Sequence, residues 1–218
     1  MEKTKNFGSS LIRDTLNKYD YEDPREKAFL KRLTEGTLES LLTLDYVINA
    51  YSKTPTNKMK PLIRSLLRLS VYQILYMDTV PDSAACNEAV RLAKKKGFER
   101  LSGFVNGVLR TITRNKEEIL NSESVFWQEL QKNPVQALSV RYSVPEWMIS
   151  LWEAQYGEEK TESMLERLKN GRPLTIRLDS RLTEEEKAQE IAAIEVAGVT
   201  VQKHQLYADC LLYTSDAA

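Results

Sequence analysis

The sequence predicts a mainly α protein, in which an all-helical bundle is followed by a partial α+β (β-α-β) segment. Three observations support this fold class. Apolar residues recur at helical spacing along most of the chain, and no strand pattern occurs before residue 170. Apolar and polar residues then alternate over Leu174–Asp179. A second short strand pattern, Val199–Val201, follows one more helical segment.

The first helices are marked by their starting residues. A short helix is expected over Leu11–Tyr19, with Ser9 or Ser10 before it as a cap. Asp23 and Pro24 then predict the start of a longer helical run, because an N-cap carboxylate and a proline in the first turn both favour a helix start. Gly36 is expected to bend or interrupt that run.

Three further helices are expected to supply the core of the bundle. The segment Met59–Met77 is the most apolar, and its broad apolar stripe is typical of a central helix. A helix over Ala84–Lys96 follows and is ended by Gly97. The next helix, Phe98–Arg114, again has one apolar face. Residues 1–115 are therefore expected to form one helical domain.

The second half of the chain is expected to be less uniform. Residues 116–140 are largely polar and are predicted to form a helical linker. Residues 141–210 are predicted to begin an α+β subdomain, with a helix over Thr183–Ala197 between its two strands. This pattern stops after its second strand, so the subdomain is expected to be incomplete. Residues 211–218 continue no recognisable pattern and stay unassigned.

The composition excludes several classes of protein. Of the 218 residues, 42% are hydrophobic, which is enough to bury a core. No apolar stretch reaches the roughly 18 residues that a membrane helix needs, and the N-terminus lacks a signal-peptide core. Cys86 and Cys210 are far apart in sequence, and His204, expected at the surface, has no cysteine at zinc-ligand spacing. We therefore expect a cytoplasmic protein without disulfides, metal sites or contact with a membrane.

The charge is distributed unevenly although the net charge is zero. Residues 1–115 contain 20 Lys and Arg against 13 Asp and Glu, and the remaining residues contain 11 against 18. An excess of positive charge in one half of a chain is typical of proteins that bind a polyanion such as nucleic acid. Lysine-rich solvated helices can produce the same surplus without any partner.

Four stretches of the helical half resemble a known family. They are EGTL at 35–38, LLRLSVYQIL at 66–75, VPDSAACNEAVRLAK at 80–94 and FVNGVLR at 104–110. Their order and spacing resemble the NusB-like RNA-binding domain at the N-terminus of the RsmB/Sun-type small-subunit rRNA (cytosine-C5)-methyltransferases. The later stretches RYSVPEW at 141–147 and PLTIRL at 173–178 resemble the segment that leads into the methyltransferase region of that family.

The resemblance implies binding of small-subunit ribosomal RNA and, in the full-length protein, methyl transfer from S-adenosylmethionine. In the family a cysteine thiolate attacks the cytosine, and a glycine-rich turn holds the cofactor. Neither Cys86 nor Cys210 matches the sequence context of the family's cysteines, and the glycine-rich turn is absent from this sequence. We therefore expect no catalytic, cofactor-binding or metal-binding residue here, and an N-terminal fragment that is inactive by itself.

The candidate RNA-binding residues are cations on the predicted helices. They are Lys60, Arg64 and Arg68, then Lys94, Lys95, Lys96 and Arg100, then Arg110 and Arg114. Spacings of four residues place such side chains on one face of a helix. For the lysine run, the alternative is complementation of the helix dipole. For Arg64, Arg68 and Arg110, the alternative to RNA binding is an ion pair within the protein, with acids such as Glu35 or Glu88.

Two other functions remain open from the sequence. One is a non-enzymatic transcription antitermination factor of the NusB kind, which binds RNA and a ribosomal protein but would be expected to end soon after Arg114. The other is a helical adaptor whose basic stripes contact acidic protein partners. A steep salt dependence of RNA binding would separate an RNA-binding protein from such an adaptor.

Overall fold

The computed structural model describes residues 8–18, 23–169, 174–196, 199–203, 207 and 209–215. The chain divides into two compact units, Met1–Glu162 and Ser163–Ala218. His204 and residues 216–218 lie outside the described residues, so the expectations for them stay untested. Within the described ranges, no helix is both long enough and apolar enough to cross a membrane.

The first unit begins with the helices α1 (Gly8–Leu16), α2 (Pro24–Glu39) and α3 (Leu41–Tyr51). The predicted start of α2 is confirmed. The carboxylate of Asp23 accepts a hydrogen bond from the backbone N–H of Arg25 at 2.8 Å, and Pro24 is the first helical residue. This cap satisfies one of the N–H groups that every helix start leaves without a partner.

The expected interruption at Gly36 is wrong, because α2 continues through it and ends at Glu39. Gly36 lies where the side chain of Tyr72 from another helix approaches the α2 backbone. A Cβ atom at position 36 would overlap the hydroxyl oxygen of Tyr72. Glycine at this position therefore permits close helix packing and does not end the helix.

The core of the first unit is built on α4 (Pro61–Tyr76), α5 (Asp82–Lys95) and α6 (Glu99–Arg114), and a short 3-10 helix (Thr56–Lys58) precedes α4. The predicted apolar stripe of α4 is buried; its fully enclosed side chains include Ile63, Leu67, Val71 and Ile74. They pack with buried residues of α3, α5 and α6 in one hydrophobic cluster. Burial of each such side chain contributes about 1.5–3 kcal/mol. Gly97, with a φ of 81°, follows the end of α5 as predicted.

The segment predicted as a linker contains α7 (Lys116–Leu120), α8 (Val125–Gln131) and α9 (Pro134–Tyr142). Ile119 belongs to the hydrophobic cluster of the bundle, and Phe126 and Trp127 pack against it. At the other end of the segment, the Thr43 hydroxyl donates a hydrogen bond to the backbone carbonyl of Val140. These residues therefore extend the helical bundle. The helices α10 (Glu146–Tyr156) and α11 (Glu158–Lys169) follow.

The second unit contains a three-stranded sheet and one helix. Its elements are β1 (Leu174–Arg177), α12 (Glu184–Val196), β2 (Val199–Lys203) and β3 (Cys210–Ser215). The strand order is β1-β3-β2, and both pairs are antiparallel. The two outer strands consequently run in the same direction, and the β-α-β unit that they form is split by β3.

The third strand was not predicted from the sequence. In the register of the sheet, Leu211 of β3 lies opposite Ile176 of β1 and opposite Lys203 of β2. Leu211 is buried, and its neighbours Cys210 and Leu212 are both half-buried. A central strand partly covered on both faces loses the alternation that identifies an edge strand in a sequence. The predicted fold class, mainly α with a partial α+β segment, is confirmed.

Candidate nucleic-acid interface

The three candidate cations of the central helix differ in their exposure. Lys60 immediately precedes α4 and is exposed, whereas Arg64 is half-buried. The Nε atom of Arg64 is buried without a hydrogen-bond partner among the described residues. Arg68 makes a bidentate ion pair with Asp45 of α3, with Nε–Oδ1 at 2.7 Å and Nη2–Oδ2 at 2.5 Å. Of the three, Lys60 is exposed, Arg64 is half-buried without an ion pair among the described residues, and Arg68 is already paired.

Pairing within the protein is thus observed for Arg68, with an acid that the sequence did not indicate. Asp45 lies 23 positions earlier in the chain, and only the packing of α3 against α4 brings the two groups together. Glu88, one of the acids considered, instead forms an ion pair with Arg91 of its own helix at 2.7 Å. Its hydrogen bond with Arg91 lowers the pKa of the Glu88 carboxyl.

The lysine run ends α5 and is exposed along its length. Lys94 and Lys95 lie in the last helical turn, and Lys96 is the C-cap residue. Cations here interact favourably with the negative end of the helix dipole. That interaction does not prevent binding of an external anion, because the ammonium groups remain in solvent. The run therefore forms a protruding positive end of the helix.

Three arginines extend this positive surface along α6. Arg100, Arg110 and Arg114 are all exposed, and none of them forms an ion pair within the described residues. The Nε of Arg110 donates a hydrogen bond to Oδ1 of Asn106 at 3.1 Å, which holds the guanidinium along the helix. Together with the lysine run, these arginines give the α5–α6 region the largest group of available cations among the nine candidates.

Two further features of the first unit were missed from the sequence. The first is an open groove of about 500 Å³ between α1 and α2, lined by three cations, Arg13, Lys27 and Lys31, together with Glu35. Its only signal in the sequence is the four-residue spacing of the two lysines. The groove itself depends on the packing of α1 against α2, which periodicity does not specify.

The second missed feature is an aromatic cluster between α3 and α8. The ring of Tyr46 stacks on Trp127 with centroids 5.4 Å apart, and Tyr51 stacks on Phe126 at 5.6 Å. The indole N–H of Trp127 donates a hydrogen bond to the carbonyl of Ile119 at 3.0 Å. This cluster stabilises the fold, since its rings contact one another across α3 and α8.

The chemistry of the described residues does not suggest an active site. Cys86 is buried, with its Sγ 3.9 Å from the hydroxyl oxygen of Thr113. Burial raises the pKa of the Cys86 thiol, which opposes formation of a thiolate nucleophile. No group of three or more His, Cys, Asp or Glu side chains in the described ranges could hold a metal ion.

A cofactor site for S-adenosylmethionine is likewise not supported by the residues that the structure describes. The connection from β1 to α12 passes through Asp179 and Arg181 without a glycine, and α12 begins with the three exposed carboxylates Glu184, Glu185 and Glu186. This connection therefore lacks the glycine-rich turn that the family resemblance implies for the cofactor.

Fold and surface together define a class of protein: an all-helical bundle with a basic face, followed by a small unit with a split β-α-β sheet. Residues 1–114 match the NusB family, and residues 144–217 match the ferredoxin-like domain of the RsmF/B-like methyltransferases. The chain belongs to the NusB family, and its NusB domain is followed by that ferredoxin-like domain.

Curated relatives match most of this chain. The chain is 30% identical over 211 residues to the "Probable ribosomal RNA small subunit methyltransferase B" of Bacillus subtilis, covering 97% of this chain and 44% of the relative. The protein of that name from Synechocystis is 33% identical over 177 residues, 79% of this chain and 37% of the relative. The chain thus spans less than half the length of these methyltransferases.

Shorter relatives match the helical half alone. The transcription antitermination protein NusB of Thermodesulfovibrio yellowstonii is 36% identical over 107 residues, which are 49% of this chain and 70% of the relative. Among solved structures, the crystal structure of PH0851 is similar in fold, with a TM-score of 0.58 and 18% identity, and the match covers 94% of this chain and 44% of that one.

Proposed function

We propose that this chain is the RNA-binding portion of an S-adenosylmethionine-dependent rRNA cytosine-C5 methyltransferase that modifies the small ribosomal subunit. The observation that carries the proposal is the succession of two domains in one chain. The NusB match at residues 1–114 is followed by the ferredoxin-like match at 144–217, and curated small-subunit rRNA methyltransferases match across both. RNA binding is assigned to the helical unit.

The exposed cations of α5 and α6 support this assignment. Lysine and arginine side chains that contact phosphates supply affinity and a strong dependence on salt, but little discrimination between sequences. Within this proposal, the first unit holds ribosomal RNA, and selection of the target cytosine depends on parts of the full protein outside these residues. Methyl transfer is likewise assigned to those parts, so we expect this chain alone to be inactive.

A second candidate function is transcription antitermination, because the antitermination protein of T. yellowstonii matches the helical half at 36% identity. That match covers 49% of this chain and includes nothing of the ferredoxin-like domain. The presence of this domain favours the methyltransferase assignment.

The binding part of the proposal is tested by measuring the affinity of the 218-residue chain for a helix of small-subunit ribosomal RNA at several salt concentrations. The double variant Lys95→Glu/Lys96→Glu should weaken binding. It should also reduce the slope of log affinity against log salt concentration by the equivalent of about one or two phosphate contacts. Lys160→Glu in α11, also an exposed helical lysine, is the matched control. Equal effects of the two variants would show that the lysine run does not contact RNA. Failure of the wild-type chain to bind RNA at low salt would refute RNA binding altogether.

The catalytic part is tested separately with isotopically labelled S-adenosylmethionine and small-subunit rRNA. We expect no label in the RNA when the 218-residue chain is the only protein. Transfer of label to cytosine C5 by this chain would show that the described residues suffice for catalysis, contrary to the proposal.

A further inference from the structure

One face of α6 combines exposed arginines with exposed glycines. Its residues follow one another at spacings of three and four, which places them in a single row along the helix; they are Arg100, Gly103, Gly107, Arg110 and Arg114. All five are exposed, whereas Val105, Leu109 and Ile112 lie on the opposite, buried side of the helix. We refer to these five residues as the arginine–glycine row.

The charge of this row is predominantly positive. None of its three arginines forms an ion pair within the described part of the chain, and the hydrogen bond of Arg110 goes to the neutral amide of Asn106. The exposed acids next to it in sequence are Glu99 in the first turn of α6 and, three and four positions after Arg114, Glu117 and Glu118 of α7. The lysine run that ends α5 adds cations four to six positions before Arg100 in sequence. The row therefore favours an anionic ligand.

The two glycines of the row have no evident role in folding. Glycine is unfavourable inside a helix, so a helical glycine usually has a reason. For Gly36 the reason is the approach of Tyr72, and for Gly97 and Gly157 it is a positive φ. At Gly103 and Gly107 the backbone is helical, and a Cβ atom would meet nothing within 4 Å.

What the glycines do provide is access to the helix backbone. Between Arg100 and Arg110, about 15 Å apart along the helix axis, the backbone is exposed at the two glycines, and the Asn106 side chain that accepts the Arg110 hydrogen bond lies beside them. A ligand lying on this stretch can approach the helix more closely than on any side-chain-covered surface, with a guanidinium group at each end. A chain of negative charges, rather than a single anion, matches an elongated row of this length.

We infer that the sugar–phosphate backbone of RNA lies along the arginine–glycine row, in direct contact with α6 at Gly103 and Gly107. Arg100 binds phosphates at one end, and Arg110 and Arg114 bind them at the other. This inference rests on the proposed RNA-binding function and adds the path of the strand and the role of the glycines. An acidic helix of a protein partner is the competing ligand, but the three arginines and the three lysines of the run outnumber Glu99, Glu117 and Glu118, which favours the more highly charged RNA.

The test is to place neutral side chains on the glycines without changing the charge. In the 218-residue chain, Gly103→Gln and Gly107→Gln should each weaken binding of a mixed-sequence single-stranded RNA of about twelve nucleotides by about tenfold. Because glutamine is a good helix former, both variants should also raise Tm, by about 2–4 °C. Ser150→Gln, on an exposed position of α10, controls for added bulk and should leave affinity unchanged.

The possible outcomes separate this inference from the proposed function. One outcome is that both glycine variants bind RNA like the wild type while Arg100→Gln and Arg110→Gln weaken binding. RNA would then be bound without contacting the α6 backbone, which overturns this inference but leaves the proposed RNA-binding function intact. If the wild-type chain does not bind RNA, the inference and the proposed RNA-binding function are both wrong. If the glycine variants lose affinity only for a glutamate-rich helical peptide, the row binds a protein. Lower affinity of the glycine variants for RNA, together with a higher Tm, is the result that supports the inference.

Discussion

Gly36 in the middle of α2 leaves space that the ring of Tyr72 occupies. A methyl group at this position would overlap the hydroxyl end of that ring, which is itself held 5.3 Å from the ring of Tyr76. We predict that Gly36→Ala destabilises the first unit by about 1–3 kcal/mol, the usual effect of overpacking. Urea denaturation measures the change in the free energy of unfolding.

The comparison variant for this prediction is Gly107→Ala, where a methyl group has room. It should stabilise α6 by about 0.5–1 kcal/mol through helix propensity. Stabilisation by Gly36→Ala as well would show that Tyr72 moves aside freely, and that the close approach of α2 and α4 does not depend on glycine.

The ion pair between Arg68 and Asp45 gives a second prediction. Both side chains are about one-fifth exposed, so removal of either leaves the other charge only partly solvated. We expect Asp45→Ala to destabilise the protein by about 1–3 kcal/mol, and the double variant with Arg68→Ala to cost less than the sum of the two single variants. A double-mutant cycle by chemical denaturation measures the coupling, and strictly additive effects would contradict it.

Among the secondary-structure elements, α8 depends most clearly on packing. It has seven residues, too few to be stable in isolation, and contributes Phe126 and Trp127 to the aromatic cluster with Tyr46 and Tyr51. The sequence indicated a polar linker because these aromatic residues stand among charged ones. Their burial is decided by α3, more than seventy positions earlier, and the sequence does not specify which helices pack together.

We predict that Trp127→Ala destabilises the first unit by about 2–3 kcal/mol, less than truncation of a fully buried tryptophan because the side chain is half-buried. Trp127→Phe should recover part of the loss by restoring a ring, but not the hydrogen bond to Ile119. Chemical denaturation and amide exchange of α7 and α8 are the measurements. An unchanged free energy of unfolding for the alanine variant would mean that α8 is not held by its aromatic residues.

For the whole molecule, the perturbed titrations in the first unit predict alkaline instability. Partial burial of the tyrosine side chains raises the pKa of Tyr46, Tyr51 and Tyr76 above the ordinary tyrosine value, and burial raises the pKa of the Cys86 thiol above the ordinary cysteine value. As pH rises through the ordinary values, the unfolded chain loses these protons while the folded chain keeps them. The folded state then binds more protons, so its stability falls with increasing pH.

The free energy of unfolding should therefore decline from about pH 9 upward, and the decline should be shallower in Tyr76→Phe, which removes one of the groups. Urea titrations at pH 7 to about 11 measure the curve. A constant free energy of unfolding across this range would contradict the assigned burial of these hydroxyl and thiol groups.

The sequence alone determined the core helices α4, α5 and α6, the cap at Asp23, the two outer strands and the family resemblance, because capping, periodicity and motif spacing are local properties of the chain. It misplaced α1, which contains the predicted cap residues Ser9 and Ser10, and the break between α2 and α3. Only the tertiary structure decided which cations remain available. Residues four apart share a helix face, but a neighbouring helix decides whether that face meets solvent or, as for Arg68, a carboxylate. The tertiary structure also decided the position of the middle strand, whose partners lie at both edges of the sheet. It further distinguished Gly36, against which Tyr72 packs, from Gly103 and Gly107, which are exposed. Contacts between distant segments set all three outcomes, and no local pattern encodes them.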